Sequence, residues 1–155
     1  MDERPYVFDE TLYPVTWRFN ARDCGLSDSD KQQIVLLDQV KSAALWDVYV
    51  PVETLMSLAE TQFQLSEKVT LDFNRPQQSS LFFEARLGDG DFVWFFWGRE
   101  CAAQVPRAVF IKGWSDFFYP SDENSVLVMP ERSKVIFSFE EDFFCGQFLA
   151  PSPVA

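Results

Sequence analysis

The stretch from Gly113 to Asn124 has the residue types best suited to recognition. It places four aromatic residues and three acids within twelve positions. Aromatic side chains supply the buried anchors of protein interfaces, and carboxylates pair with Arg or Lys of a partner. The predicted partner-binding residues here are Trp114, Asp116, Tyr119, Asp122 and Glu123. The alternative is an aromatic anchor that pins a long connection to a sheet.

A second acidic group consists of Glu140, Glu141 and Asp142. We predict that it extends the same binding surface, provided that its turn lies at the same end of the sheet. The alternative is a solvated turn, because most charge runs face water.

The chain contains no histidine, so it lacks the most common general base and metal ligand. Ser-His-Asp and Cys-His triads and His-containing zinc sites are therefore excluded. No spacing among the 24 acids marks a general acid and base pair. We predict no catalytic residues and a protein that is not an enzyme. The alternative is a small enzyme that uses carboxylates or a cysteine without histidine.

The remaining candidates for metal or thiol chemistry have simpler structural explanations. The run Asp28–Asp30 begins like a calcium loop, but Gln33 and Gln39 stand where Gly and Glu are required. The run 88–91, Gly-Asp-Gly-Asp, fits a hairpin turn. Cys101 has no histidine to activate it, and the three cysteines include no CxxC pair. We therefore predict no metal site, no cofactor and reduced thiols.

The formal charge of −11 restricts the partners of this protein. It repels nucleic-acid phosphates and anionic lipid, and it attracts basic proteins at long range. The N-terminus resembles no signal peptide, and no apolar run is long enough to cross a bilayer. We predict a cytoplasmic protein that binds a basic protein partner, and neither nucleic acid nor membrane. The oligomeric state is left open.

One domain must position these residues, because 155 residues suffice for a single core and no repeat divides them. We predict a single domain over residues 1–155 with a frayed tail at 150–155. Helices come first: Ser27 and Asp30 form a capping box that starts one, and apolar spacing predicts others at 41–49 and 52–65.

Strands dominate the rest of the chain. Alternating or apolar runs predict strands at 15–19, 67–73, 81–87, 92–97, 108–112, 125–129, 134–139 and 143–148. Segments 81–87 and 92–97 are predicted to form a hairpin, and 93–97 is apolar on both faces, as in a central strand. The predicted fold class is α+β, with N-terminal helices packed on a mainly antiparallel sheet of about five to six strands.

Three stretches resemble, in their layout, small bacterial cytosolic proteins: 17–19 (Trp-Arg-Phe), the capped helix with Leu45-Trp46 behind it, and 114–124. The general character is similar to the immunity proteins of bacterial toxin systems, which bind a cognate toxin and occlude its active site. Immunity proteins share no common signature, so the resemblance assigns no role to any residue. It implies a protein that neutralises a basic toxin, and a nuclease fits because its phosphate-binding cleft is positive. A structural or adaptor module whose acidity serves solubility is a further alternative.

Overall fold

The computed structural model describes residues 7–21, 24–50, 63–87, 91–119, 125–129 and 134–148. Within these ranges the α-helices are α1 (Trp17–Asn20), α2 (Asp28–Gln32), α3 (Gln39–Tyr49), α4 (Pro76–Leu87) and α5 (Arg107–Phe117). The strands are β1 (Val35–Leu36), β2 (Phe63–Thr70), β3 (Phe92–Gly98), β4 (Cys101–Pro106), β5 (Val126–Met129), β6 (Lys134–Phe139) and β7 (Asp142–Phe148).

The seven strands form one sheet in the order β1-β4-β3-β5-β6-β7-β2. Every neighbouring pair is antiparallel. The predicted α+β class is therefore confirmed, with a slightly larger sheet than expected. Strands β5, β6 and β7 are neighbours in both chain and sheet, so they form an antiparallel meander at the three predicted strands 125–129, 134–139 and 143–148.

Helices α1, α4 and α5 enclose the larger core against one face of the sheet. Its centre is aromatic: the rings of Phe83 and Phe110 lie 5.2 Å apart, and those of Phe95 and Phe118 lie 4.8 Å apart, both edge to face. Such pairs each add about 1 kcal/mol beyond the burial of their area. This packing fixes α5 over the centre of the sheet.

Helix α3 packs on the opposite face, where Trp46 contacts Phe96 edge to face at 5.6 Å. The Ser42 hydroxyl accepts a hydrogen bond from the Ala102 amide at 3.1 Å, which satisfies a buried polar group. The predicted helix at 41–49 is confirmed, and Val48 lies on its outer face, where it is 70% exposed. Phe95 and Phe96 are fully buried on opposite faces, so β3 is the predicted central strand.

Three segments predicted as strands are helical, and two of them lie in the long helices α4 and α5. Residues 81–87 belong to α4, which starts at Pro76 and buries Phe82, Phe83 and Leu87 at helical spacing. The predicted hairpin with 92–97 was therefore wrong, and β3 pairs with β4 and β5 instead. Residues 108–112 belong to α5. Short apolar runs fit buried strands and buried helices equally well, which explains both errors.

The N-terminal part is also more helical than predicted at 15–19, where a 3-10 turn from Pro14 leads into α1. The capping box is confirmed: the Ser27 hydroxyl accepts from the Asp30 amide, and the Asp30 carboxylate accepts from the Ser27 amide, both at 3.1 Å. Most of the predicted helix at 52–65 lies outside the described residues, and its last three positions begin β2. The predicted tail at 150–155 also lies outside them.

Candidate partner-binding surface

The turn between β6 and β7 exposes two carboxylates. Glu140 and Glu141 form this turn and both face solvent. Glu140 has a backbone φ of 54°, in the left-handed region that glycine and asparagine prefer. Asp142 is tied to β2 instead, because its carboxylate accepts from the Thr70 hydroxyl at 2.7 Å and lies 4.0 Å from the Lys68 ammonium.

The β3–β4 turn lies at the same end of the sheet as the β6–β7 turn. Val126 pairs with Phe96 on one side and with Phe137 on the other, so β3 and β6 end together. We call this the acidic end of the sheet, defined by the turns at 98–101 and 139–142. It presents Glu100 to solvent, next to Arg99, which is held by both carboxylate oxygens of Asp47 at 3.1 and 2.9 Å.

The exit of α5 reaches the same end, because the Phe118 ring lies 5.0 Å from that of Phe143, the residue after Asp142. The next residue, Tyr119, is half-buried. The centre of the Tyr119 ring lies 5.4 Å from that of the Trp17 ring, and the Arg18 guanidinium lies 4.3 Å from the centre of the Tyr119 ring. Tyr119 and the turn at 139–142 therefore lie at one end of the sheet, which is the condition that a common binding surface requires.

Trp114 does not belong to an exposed surface. Its side chain is fully buried, its indole N–H donates to the Pro76 carbonyl at 2.9 Å, and its ring packs on Phe73 and Phe83. The prediction that Trp114 contacts a partner is corrected, because a side chain in the main core cannot reach one. Trp114 instead fits the alternative stated above, an aromatic side chain that anchors this segment against the sheet.

Asp116 faces the N-terminal loop. One of its carboxylate oxygens accepts from the Gly25 amide at 3.2 Å and lies 3.7 Å from the Cys24 sulfur. It thus holds the loop before α2 against α5, a contact that no sequence pattern indicated. Asp122 and Glu123, the other predicted acids of this stretch, lie outside the described residues.

A cleft of about 700 Å³ opens beside Trp97 at the acidic end. We call it the Trp97 cleft. Its walls come from the N-terminal turn, the start of α3 and the β3–β4 turn, and include Leu12, Tyr13, Pro14, Leu37, Asp38, Val40, Trp97, Glu100 and Cys101. The sequence did not predict this cleft, because its walls come from three segments that are distant in the chain and meet only in the folded protein. The one local indication of it in the sequence is the aromatic run that ends at Trp97.

The thiol in this cleft is poorly suited to catalysis. Burial raises the pKa of the Cys101 thiol, and the nearby Arg18 charge offsets this only in part. The thiol therefore stays protonated near neutral pH, and a protonated thiol is a weak nucleophile. Among the described residues, His, Cys, Asp and Glu side chains form no group of three that could hold a metal ion. None of the described helices is long and apolar enough to cross a membrane.

The fold and the site define a chain of the α+β class with an acidic sheet end and an adjoining cleft. The chain belongs to the family described as "Protein of unknown function (DUF2947)", whose model matches residues 8–145. No curated protein and no solved structure matches it.

Proposed function

We propose that this chain is an acidic binding protein that neutralises a basic protein partner in the bacterial cytoplasm, as an immunity protein blocks a toxin. The observation that carries the proposal is the presence of three exposed acids, Glu100, Glu140 and Glu141, at one sheet end of a protein of charge −11. A concentrated negative potential accelerates capture of a basic protein and orients it at the encounter. A nuclease toxin suits this charge, because its substrate cleft must be positive.

The backbone at Glu140 also favours a functional role for this turn. A non-glycine residue in the left-handed region costs about 1 kcal/mol relative to a relaxed backbone. Asparagine or glycine would fill the position with less strain. An exposed glutamate contributes little to folding, so its presence at a strained position fits selection for its charge.

The experiment is affinity capture from native lysate with three tagged proteins: the wild type, Glu140→Gln/Glu141→Gln, and the control Glu84→Gln/Asp91→Asn. The control removes the same charge at exposed positions, and Asp91 precedes β3 at the opposite end of the sheet. We expect the wild type and the control to retain one basic protein in stoichiometric amount at moderate salt. The variant at 140 and 141 should lose it.

The toxin part of the proposal has a separate readout. Expression of the captured protein alone should arrest growth, and co-expression of the wild-type chain should restore it. A captured protein that is harmless alone would overturn the immunity role and leave the binding role. Equal capture by all three proteins, or by none, would overturn the assignment of the acidic end.

A further inference from the structure

The Trp97 cleft combines apolar walls with acidic lining. Leu12 and Val40 stand on its rim and are 70% and 80% exposed, so they give the opening of the cleft an apolar border. Asp38 and Glu100 are the charged residues among its described lining. A volume of about 700 Å³ lies within the usual range of ligand sites.

The aromatic wall of this cleft is rigid. The Trp97 indole N–H donates to the Phe117 carbonyl at 3.0 Å, and its ring stacks on that of Phe117 at 6.0 Å with an interplanar angle of 15°. A fixed aromatic surface beside carboxylates suits a planar cation, because a guanidinium can stack and also bond to a carboxylate.

The carboxylate of Glu100 is available to such a cation. The adjacent Arg99 is turned toward Asp47, and within the described part of the chain Glu100 has no ion-pair partner. Asp38 uses one oxygen to cap α3, accepting from the Lys41 amide at 2.8 Å. One cation also lies near Cys101, the Arg18 guanidinium, which donates to the Phe117 carbonyl at 3.0 Å. The two carboxylates outnumber it, so the net charge disfavours an anionic ligand and favours a positive group on an apolar stem.

We propose that the Trp97 cleft receives an arginine side chain of the basic partner. This inference rests on the proposed function and names the anchor of that same interface. The aliphatic stem packs between Leu12 and Val40, and the guanidinium lies beside Trp97 and binds Glu100. Deep arginine anchors are frequent hot spots of protein interfaces.

The test uses a defined probe, N-acetyl-arginine methylamide, with the neutral isostere N-acetyl-citrulline methylamide as its control. Titration is followed by NMR at the Trp97 indole, the Gly98 amide and the methyl groups of Leu12 and Val40. We expect millimolar binding of the arginine probe at these signals and at least fivefold weaker binding of citrulline. Equal binding of both probes, or no shifts at these signals, would overturn the inference.

Two variants and one control assign the charge. Glu100→Gln should weaken binding of the arginine probe about five- to tenfold, because it removes a charge-assisted hydrogen bond. Asp38→Asn should weaken it less and keep the helix cap, since asparagine caps as well as aspartate. Glu84→Gln, an exposed position on α4 outside both the cleft and the acidic end, should bind as the wild type. An unchanged affinity in Glu100→Gln would contradict the proposed contact.

Cys101 gives a chemical readout of the same site. The arginine probe should slow alkylation of Cys101 and leave that of Cys24 unchanged, as followed by peptide mass spectrometry.

The Glu100→Gln variant should also fail to capture the basic partner from lysate. If that variant binds probe and partner normally while the variant at 140 and 141 loses the partner, the cleft inference fails and the proposed function stands. If the arginine probe binds but no partner is captured, the proposed function fails. The cleft would then bind an arginine-like ligand that does not come from a protein partner.

Discussion

The helix-covered face around α5 and the acidic end of the sheet use carboxylates in opposite ways. Around α5, Asp30 accepts from the Lys112 ammonium at 2.9 Å and Asp116 accepts from the Gly25 amide. At the acidic end, Glu140 and Glu141 face solvent on a turn. The first region uses its acids to hold segments of the chain together. In the second, Asp142 is held by Thr70 and Lys68, whereas Glu140 and Glu141 make no hydrogen bond or ion pair within the described residues through their carboxylates.

This difference shows that net charge alone does not locate a binding surface. An acid that is paired with a cation of its own chain, as Asp30 is with Lys112, adds less to the field felt by a partner than an unpaired acid does. Substitutions in the two regions should therefore affect different quantities. Those around α5 should change the free energy of unfolding, and those at the acidic end should change partner binding.

The largest effect should follow Trp114→Ala. The substitution removes a fully buried aromatic side chain and leaves a cavity in the main core, so we expect a loss of about 3–5 kcal/mol in unfolding free energy. Urea denaturation measures it. The matched control is Trp17→Ala, because Trp17 is 47% exposed and should cost less than half as much. Similar losses in both variants would show that the two tryptophans are not as different as their burial indicates.

Asp30→Ala should produce the next largest loss, about 2 kcal/mol of unfolding free energy. It removes the reciprocal cap of α2 and the ion pair with Lys112, and the carboxylate is largely buried. Glu141→Ala, at the acidic end, is the control and should stay within about 0.5 kcal/mol of the wild type. Thermal unfolding of the three proteins measures the difference.

The same residue predicts a pH dependence. Burial alone would raise the pKa of Asp30, but hydrogen bonds from Lys112 and Ser27 outweigh it and the pKa is lowered. A lowered folded-state pKa stabilises the protein above the unfolded value of about 3.9, and this contribution is lost as pH falls through the folded-state pKa. Asp30→Asn should therefore show a shallower loss of stability in acid. A slope equal to that of the wild type would contradict the shift.

Asp116→Ala should cost about 1 kcal/mol of unfolding free energy, because it leaves the Gly25 amide without this acceptor. Capture of the basic partner should not change. This outcome differs from the prediction from the sequence, in which Asp116 binds the partner. A variant with normal stability and weakened capture would restore that expectation and break the contrast between the two regions.

Parts of the fold could be predicted because their signals are local. The capping box at Ser27 and Asp30 needs only four consecutive residues, and the meander at 125–148 is marked by turn residues between apolar runs. Predictions made from apolar runs without clear periodicity were wrong. The segment 81–87 has adjacent Phe82 and Phe83, which both a strand and a buried helix accept, and only tertiary packing decides between them.

The candidate site could be predicted only in part, for the same reason. The exposed turn at 140 and 141 could be predicted because a charged turn between two strands is a local feature. The burial of Trp114, by contrast, depends on Phe73 and Phe83, and the Trp97 cleft depends on Leu12 and Val40. Such contacts join distant parts of the chain, and one sequence contains no direct record of them.

The smallest effect, and the most discriminating, should follow Glu140→Asn. Asparagine adopts the left-handed backbone more readily than glutamate, so we expect a gain of about 0.5 kcal/mol in unfolding free energy. The same change removes an exposed charge and should weaken capture of the basic partner. Glu141→Gln removes a charge without relieving strain and should weaken capture with no gain in stability. If Glu140→Asn instead destabilises the protein, the carboxylate contributes to folding, and the acidic end is not the free surface that distinguishes it from the region around α5.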